Sequence, residues 1–294
     1  MKALVASSMS IAKLIPARSS QSKKGDNSIV LVVGGSRIYH GAPLLASLAA
    51  MRSGADLVYV AVPKSISAAI RSYSPSIIVL PLPDDRLTVG SVNKLKAMLP
   101  KKVDAAAIGM GMSVAKIDAL TSLIGELKEM NAKILLDASA LVPDVLPAVS
   151  KRQVVLTPHA GEFKRVFQQD VGKSEKAMVE NAKGFAAKHK VTVLLKGWID
   201  IVSDGNKVAV NRTHNCAMTV GGTGDVLSGL VAGLLAKGMN PFDASIAGAY
   251  INGSAGDLAY RKLGLHILPT DVIDEIPTVM KKFDSISVKK NRKG

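Results

Sequence analysis

Residues 220–229 of this chain read VGGTGDVLSG, a cluster of small residues followed directly by a long apolar run. The glycines allow a tight backbone turn, and the apolar run predicts a helix from near Gly224 to Lys237-Gly238. The first turn of such a helix has amide N–H groups without intrahelical partners, at the positive end of the helix dipole. The stretch therefore predicts an anion site at a helix N-terminus.

Asp225 falls in that first turn, beside the place where a phosphate would bind. A carboxylate there suits a general base that takes a proton from a hydroxyl as the hydroxyl attacks a phosphoryl group. The alternative is an acidic residue that only stabilises the helix N-terminus. Glycines at 221, 222 and 224 exceed what a helix cap needs, so we favour the functional interpretation. The stretch is not a Walker A loop, because no Gly-Lys-Ser/Thr follows.

Short β-branched runs alternate with helical patterns along the rest of the chain. This alternation predicts an α/β fold, with a mainly parallel central sheet and helices on both faces. The predicted strands are Ile29–Val33, Leu57–Val62, Ile77–Leu80, Ala105–Ile108, Ile134–Leu136, Val154–Leu156 and Val191–Leu195. The predicted helices, besides the one at Gly224, are Pro43–Arg52, Lys116–Met130, Gly161–Gln169, Glu175–Lys188 and Pro241–Gly264. Around the turn signal Asp204-Gly205-Asn206, the segments Ile199–Ser203 and Lys207–Val210 predict an antiparallel hairpin.

The chain has 294 residues, and no internal repeat or Ser/Gly linker divides it. We expect one domain over residues 1–294, with frayed basic ends: an N-terminal extension at 1–27 and a basic tail at 284–294. The richest apolar run, 226–236, is interrupted by Ser228 and two glycines, so we expect no membrane span.

The single cysteine, Cys216, excludes a disulfide scaffold and a zinc ribbon. The five histidines have no metal-ligand spacing, so we expect no metal held by protein side chains. These features are typical of a cytoplasmic protein.

The net charge is +15, from 38 Lys and Arg against 23 Asp and Glu. A basic surface attracts polyanions, and nucleic-acid binding is one interpretation. Aromatic residues are only 4% of the chain, and no nucleic-acid-binding motif accompanies the charge. We therefore favour small anionic substrates and do not expect a nucleic-acid partner.

Several other motifs follow predicted strands. Each alone is more often a turn than a site, but the carboxyl ends of parallel strands gather at one edge of a sheet. We therefore expect them to form a ligand-lined rim. The motifs are GGSRIYHGAP at 34–43, IGMGM at 108–112, LDA at 136–138, TPHAGEF at 157–163 and LKGWID at 195–200.

Together these residues resemble the ADP/ATP-dependent NAD(P)H-hydrate dehydratases of the ribokinase-like superfamily, over roughly residues 15–280. GGTGD alone indicates only the superfamily, whereas its combination with TPHAGEF and YHGAPLLA is specific. The resemblance implies a ribokinase-like fold and the repair of hydrated NADH or NADPH. The hydrate hydroxyl would be phosphorylated by ADP or ATP with Mg²⁺, and phosphate would then leave. The alternative on the same motif is a small-molecule (vitamin-precursor) kinase.

The resemblance also implies roles for individual residues. Asp225 would be the base, and Gly222, Thr223 and Gly224 would form an anion hole for the transferred phosphate. The residues that would bind the hydrated dinucleotide are Ala42, Gly111, His159 and Asp225. The residues that would border the nucleotide are Lys196, Gly197, Trp198, Ile199 and Asp200. The family further implies a homotetramer. Because there is no room for an epimerase domain before Gly34, we expect a dehydratase that acts alone.

Three positions depart from the family pattern. Asp200 stands where many relatives have Thr or Ser, and a carboxylate near phosphates is unfavourable unless it points away or meets a cation. The usual Gly-Pro-Gly-Leu-Gly appears here as GMGMS at 109–113, and Ser139 replaces a carboxylate of the Asp-Ala-Asp pattern. The first departure bears on the choice between ADP and ATP, and the other two on substrate contacts.

Overall fold

A ten-stranded sheet lies at the centre of the computed structural model, which describes residues 3–149 and 154–288. The strands are β1 (Leu4–Val5), β2 (Arg18–Ser19), β3 (Ile29–Val33), β4 (Leu57–Pro63), β5 (Ile78–Leu82), β6 (Ala105–Ile108), β7 (Lys133–Leu136), β8 (Val154–Leu156), β9 (Thr192–Leu195), β10 (Asp200–Ser203), β11 (Val208–Asn211) and β12 (Ile286–Ser287). The large sheet has the order β1-β11-β10-β9-β8-β7-β6-β3-β4-β5, and β2 pairs with β12 separately. In this large sheet β10 is antiparallel to both its neighbours, and all other pairs are parallel. The predicted mainly parallel sheet and its antiparallel hairpin are thus confirmed.

Helices cover both faces of this sheet. They are α1 (Ser8–Ala12), α2 (Gly41–Arg52), α3 (Lys64–Tyr73), α4 (Val89–Met98), α5 (Ile117–Glu129), α6 (Ala160–Phe167), α7 (Glu175–His189), α8 (Thr223–Ala236), α9 (Pro241–Leu263) and α10 (Pro269–Met280). One apolar core lies under α2, α3, α8, α9 and α10, and the other lies under α4 to α7. The layered α/β architecture follows because each sheet face is apolar and must be covered.

The sheet has a topological switch point between β3 and β6. The chain runs outward through β4 and β5, returns to place β6 beside β3, and then continues through β7, β8 and β9. Ligands in open α/β sheets bind at the carboxyl ends of the strands near such a point. Here the backbones come very close: a Cβ on Gly34 would lie 2.4 Å from the carbonyl oxygen of Met110. Glycine is required at this junction.

Residues 4–19, within the segment expected to be an N-terminal extension, pair with and pack on the body of the fold. β1 pairs in parallel with β11, and β2 pairs with β12 near the other terminus. Ile11 of α1 is fully buried in the core under α9. Burial of Ile11 and Ile15 and the backbone pairing of β1 and β2 offset the entropic cost of ordering this segment.

The basic tail lies partly beyond the described residues. Residues 284–288 are described and include β12, whereas the basic residues from 289 onward lie outside the described ranges. Among residues 3–149 and 154–288, no helix combines the length and apolar character needed to cross a membrane.

Candidate functional site

The glycine-rich stretch forms an open helix N-terminus, as its sequence predicts. Gly222 is the N-cap of α8 with a φ of 109°, in the region that favours glycine. A Cβ there would also lie 2.7 Å from Pro269 and 2.8 Å from Leu45. Thr223 holds the preceding turn, since its Oγ1 donates to the carbonyl oxygens of Met218 (2.9 Å) and Val220 (3.1 Å).

No side chain in the described part of the chain caps this N-terminus. The first-turn N–H groups therefore remain available to an anion, and the helix dipole favours negative charge there. Gly224 keeps the approach open, because a Cβ at this position would have only the Lys196 ammonium nearby, at 3.6 Å.

A buried cluster of opposite charges lies next to this N-terminus. The Lys196 Nζ donates to Asp137 Oδ1 at 2.7 Å and lies 3.8 Å from Glu162 Oε2. The other oxygen of Asp137 accepts a hydrogen bond from the Ser228 hydroxyl on α8, at 2.7 Å. Burial alone would lower the pKa of Lys196, but the negative charges of Asp137 and Glu162 outweigh burial and raise it. Lys196 is therefore a fixed positive charge beside the N-terminus of α8, where we expect an anion to bind.

Asp225 lies against the same cluster. Its burial raises the pKa of its carboxyl to about 7, and the negative charges of Asp137 and Glu162 add to this while Lys196 opposes it. An acid with a pKa near neutrality can both accept and release a proton at physiological pH, as a general base must.

The raised pKa of Asp225 predicts a pH-dependent stability change in the Asp225→Asn variant. The folded pKa is about 7 and the ordinary value is 3.8, so the native state binds this proton more tightly than the unfolded chain does. Ionisation of Asp225 therefore costs stability as the pH rises from about 4 to 7, and the full cost persists above pH 7. We expect the variant to be more stable than wild type at pH 8 by on the order of 2–4 kcal/mol, and to show little difference at pH 4.

Denaturant unfolding at both pH values measures this difference. The exposed Asp274, changed to Asn, is the matched control for removing a carboxylate at the surface. An equal effect of Asp225→Asn at pH 4 and pH 8 would show that the carboxyl ionises normally in the folded protein.

A cleft of about 720 Å³ extends from this N-terminus between the loop after β9 and the segment before α8. The predicted site residues that line it are His159, Lys196, Gly197, Trp198, Asp200, Thr223 and Gly224. The segment 214–220 and α9 also line this cleft. Ile199 does not line the cleft, because its side chain is buried in the core under α7. A second cavity of about 820 Å³, around Asp204-Gly205-Asn206, is lined by none of the predicted site residues.

His159 and Glu162 form a reciprocal cap at the start of α6. The His159 Nδ1 accepts hydrogen bonds from the N–H groups of Gly161 (3.0 Å) and Glu162 (3.3 Å), and Glu162 Oε2 accepts from the His159 N–H (2.9 Å). Because Nδ1 is an acceptor, the proton of the neutral ring is on Nε2, in a side chain that is largely exposed. The Nε2–H group of His159 can therefore donate a hydrogen bond to a ligand in the cleft.

Asp200 is turned into the protein and does not oppose a bound phosphate. Its Oδ2 accepts from the Asn211 Nδ2 at 3.0 Å, its Oδ1 accepts from the Gly197 N–H at 3.4 Å, and His214 lies 3.9 Å away. Burial raises the pKa of Asp200 despite the hydrogen bond from Asn211 and the nearby His214. The Asp200 carboxyl therefore holds the 197–200 loop through contacts with protein groups. It is not an unpaired negative charge that faces the cleft.

The other two departures form one contact. The Ser139 hydroxyl donates to the carbonyl oxygens of Gly109 (3.1 Å) and Met112 (2.5 Å), and so ties the loop after β7 to the loop after β6. Gly109 has a φ of 122°, and a Cβ there would lie 1.9 Å from the Asp137 carbonyl oxygen. Ser139 thus supports the backbone of the GMGMS loop.

Ala42 and Gly111 meet at the switch point, as their place after β3 and β6 predicts. A Cβ on Gly111 would lie 3.0 Å from the Ala42 Cβ, and Gly111 has a φ of 62°. This pair lies close to the N-terminus of α8, because Leu45, one turn beyond Ala42 on α2, lies against Gly222. The structure therefore brings the two sets of predicted residues to one edge of the sheet.

Three functional candidates were not among the predicted site residues: Asp137, Glu162 and Ser228. Asp137 and Glu162 lie within motifs that follow strands, which was a usable signal. Ser228 had none, because its partner Asp137 is 91 residues away.

One carboxylate of the site, that of Glu162, fits a magnesium ion that is held mainly by phosphate oxygens and waters. No group of three or more His, Cys, Asp or Glu side chains within residues 3–149 and 154–288 has the arrangement of a protein-held metal. Mg²⁺ commonly takes one or two carboxylates, with phosphate oxygens and waters completing its shell. Glu162 offers such an oxygen beside the open N-terminus, whereas both oxygens of Asp137 already accept hydrogen bonds, from Lys196 and from Ser228.

The sheet order, the open N-terminus of α8 and the adjacent acid define the ribokinase-like class of α/β proteins. A solved ribokinase-like superfamily protein from Enterococcus faecalis matches this structure with a TM-score of 0.81 at 26% identity, over 96% of each chain.

Residues 30–278 match the NAD(P)H-hydrate dehydratase family, and the chain belongs to it. The ADP-dependent (S)-NAD(P)H-hydrate dehydratase of Nitrosopumilus maritimus is 52% identical over 94% of this chain and 96% of its own length. The ADP/ATP-dependent NAD(P)H-hydrate dehydratase of Bacillus subtilis, co-crystallised with ATP/Mg²⁺, has a TM-score of 0.83 at 27% identity, over 97% of this chain and all of its own. The resemblance inferred from the motifs is confirmed.

Proposed function

We propose that this chain dehydrates hydrated NADH and NADPH to the reduced dinucleotides, with ADP as the phosphoryl donor. The observation that carries this proposal is the Asp225 carboxyl, with a pKa near 7, at the open N-terminus of α8 in a chain of this family. The name of the 52% identical relative supports the choice of ADP over ATP.

In the first step, Asp225 removes the proton of the hydrate hydroxyl as that oxygen attacks the terminal phosphorus of ADP. A bond from oxygen to phosphorus forms, the bond from phosphorus to the bridging oxygen breaks, and AMP leaves. In the second step, phosphate leaves the ring with its bonding electrons, a ring proton is lost, and the double bond of the reduced nicotinamide is restored. The base and the positioned charges lower the barrier of the first step.

The nucleotide occupies the cleft in this proposal. The N–H groups at Gly222, Thr223 and Gly224 hold the transferred phosphoryl group, and the Lys196 ammonium balances its charge. The loop from Lys196 to Asp200 borders the rest of the nucleotide through Gly197 and Trp198, while Ile199 anchors this loop in the core. Mg²⁺ supplies further neutralisation of phosphate charge when it is bound, and Glu162 is the residue that would help phosphate oxygens and waters to hold it.

The hydrated dinucleotide lies on the other side of Asp225. Ala42 and Gly111 leave a surface with little side chain, over which a ring can approach the base closely. His159 donates from Nε2 to the same substrate. The site thus places the hydroxyl between its base and the phosphoryl donor.

An assay with hydrated NADH, ADP and Mg²⁺ tests the proposed function. We expect the absorbance of reduced nicotinamide to return, with one AMP formed per turnover and no phosphorylated organic product. ATP, and hydrated NADPH, serve as parallel arms for donor and substrate preference. Phosphorylation of a small alcohol with hydrated NADH left unchanged would instead show a kinase that uses the same base and anion hole.

We also propose that the chain acts in the cytoplasm as a homotetramer, as one domain without a nucleic-acid partner. Support for assembly comes from large apolar side chains that are more than half exposed, including Ile38, Tyr39, Leu265 and Leu268. Light scattering coupled to size-exclusion chromatography measures the oligomeric state.

A further inference from the structure

The Asn252 side chain on α9 has an unsatisfied polar group in the wall of the cleft. Asn252 is only 6% exposed, and its Oδ1 is buried without a hydrogen-bond partner in the described residues. Asn252 also lines the cleft that begins at Gly224. Leaving a buried polar atom unpaired is costly, and such atoms are rare in folded proteins. An unpaired amide at a ligand cleft therefore calls for a partner from the ligand.

Neighbouring polar side chains have internal partners, which sets Asn252 apart. The Asn215 Oδ1 accepts from the Ala217 N–H at 3.0 Å, and its Nδ2 donates to Asp257 at 2.7 Å. Asn211, also buried, donates to Asp200. The protein supplies partners for these amides, whereas the Asn252 Oδ1 has no hydrogen-bond partner among the described residues.

The backbone around Asn252 holds it rigidly in place. A Cβ on Gly253 would lie 1.4 Å from the Thr213 carbonyl oxygen, and one on Gly256 would lie 2.1 Å from the Met218 sulfur. α9 is therefore packed directly on the segment before α8, which also lines the cleft. A polar group held on a rigid helix is well placed for specific recognition.

The surroundings of Asn252 suit a flat, largely apolar ring with polar edges. Trp198 is 64% exposed and offers an aromatic face at the mouth of the cleft. The other apolar side chains of this part of the cleft are Met218, Val220, Leu227 and Ala249. If the phosphates of a nucleotide bind at Thr223 and Gly224, its base lies in the apolar part of the cleft.

We propose that the Asn252 carboxamide hydrogen-bonds the adenine of the nucleotide and sets the preference for adenine. A carboxamide has one donor and one acceptor side by side, which matches the acceptor N7 and the donor N6 amino group of adenine. Rotation of the amide about its last side-chain bond places either atom toward the base. This inference depends on the proposed function in one respect: it takes from it that an adenine nucleotide binds in this cleft.

Calorimetric binding of ADP and inosine diphosphate (IDP) to wild type and Asn252→Leu tests this inference. Hypoxanthine, the base of IDP, has a carbonyl oxygen in place of the N6 amino group, so it presents two acceptors to the amide. We expect wild type to bind ADP about tenfold or more tightly than IDP, within the range of a bidentate amide–adenine pair. In Asn252→Leu, ADP affinity falls about tenfold, IDP affinity changes less than about threefold, and the preference is largely lost.

Thermal unfolding without nucleotide separates recognition from a structural role. Leu has nearly the same shape and removes the unpaired polar atom, so Asn252→Leu keeps or raises the melting temperature. Ser245→Ala is the matched control on α9, because Ser245 is buried, bonds only to the Pro241 carbonyl oxygen, and lies outside the cleft. We expect that control to retain the ADP preference.

An unchanged ratio of ADP to IDP affinity in Asn252→Leu would overturn the inference, as would wild type that binds neither nucleotide or shows no preference for ADP. A lower melting temperature with an unchanged ratio would assign Asn252 a structural role. Failure of the proposed function is distinct: wild type would then bind ADP with its adenine preference but leave hydrated NADH unchanged.

Discussion

Replacing Asp225 by Asn lowers the turnover of hydrated NADH about 10²–10⁴-fold, the range typical of a lost general base. The amide keeps the size of the side chain and its place in the first turn of α8, but it cannot accept the hydroxyl proton. The KM for ADP changes much less, because the N–H groups and Lys196 that hold the phosphates are unaffected. Steady-state kinetics with ADP and Mg²⁺ measure both quantities.

The pH profile of the wild-type enzyme provides the control for this variant. Since the pKa of Asp225 is about 7, the rate rises as the pH increases through 7 and levels off where the carboxyl is fully ionised. The residual rate of Asp225→Asn lacks this rise. Turnover within threefold of wild type would mean that another group takes the proton.

Replacing Lys196 by Met has the second largest expected effect. It leaves the Asp137 and Glu162 carboxylates buried without their cation, and breaking a buried ion pair costs about 3–5 kcal/mol of stability. It also removes the positive charge that faces the bound phosphate. We expect a lower melting temperature together with a large loss of ADP affinity, measured by thermal unfolding and calorimetry.

The double variant Lys196→Met with Asp137→Leu separates these two effects. Removing the Asp137 carboxylate relieves much of the uncompensated charge, so stability is partly recovered, whereas ADP affinity is not. If ADP affinity returned with stability, Lys196 would act only by holding the fold together.

Much of the sheet was predictable from sequence because its strands are short, apolar and separated by clear turn signals. β3, β6 and β8 have the predicted bounds, and β4, β5, β7 and β9 differ by one or two residues at their ends. α8 and α9 were also predicted, since Gly222 and the Asn240-Pro241 pair mark their starts. The carboxyl ends of parallel strands then place the predicted site residues at one edge.

Four helices, α1, α3, α4 and α10, were not predicted, and physical reasons can be identified for the last three. α3 begins directly after β4 with no side-chain cap, so no start signal precedes Lys64. α10 has Pro277 in its interior, which usually indicates the end of a helix. α4 has a Thr88 cap, but Gly90, Ser91 and Asn93 in its first half are poor helix formers. Packing on the sheet overrides these weak local signals.

The sequence places the three residues of the charge cluster in motifs at one edge of the sheet, but it does not show which of them pair, because their contacts are long-range. Lys196 and Asp137 are 59 residues apart, and each follows a different strand. Strand order brings them together: β7 pairs with β8, and β8 with β9. Asn252 lies in no motif, and only the structure shows that its amide is buried without a partner beside the cleft.

The central claim is that the amides at the start of α8 bind the phosphoryl group that is transferred to the hydroxyl deprotonated by Asp225. A crystal structure with a non-hydrolysable ADP analogue and Mg²⁺ tests this claim most directly. The account predicts terminal phosphate oxygens at about 2.7–3.2 Å from the N–H groups at Thr223 and Gly224, with the Asp225 carboxylate facing the phosphorus. A terminal phosphate bound away from α8, out of reach of Asp225, would contradict it.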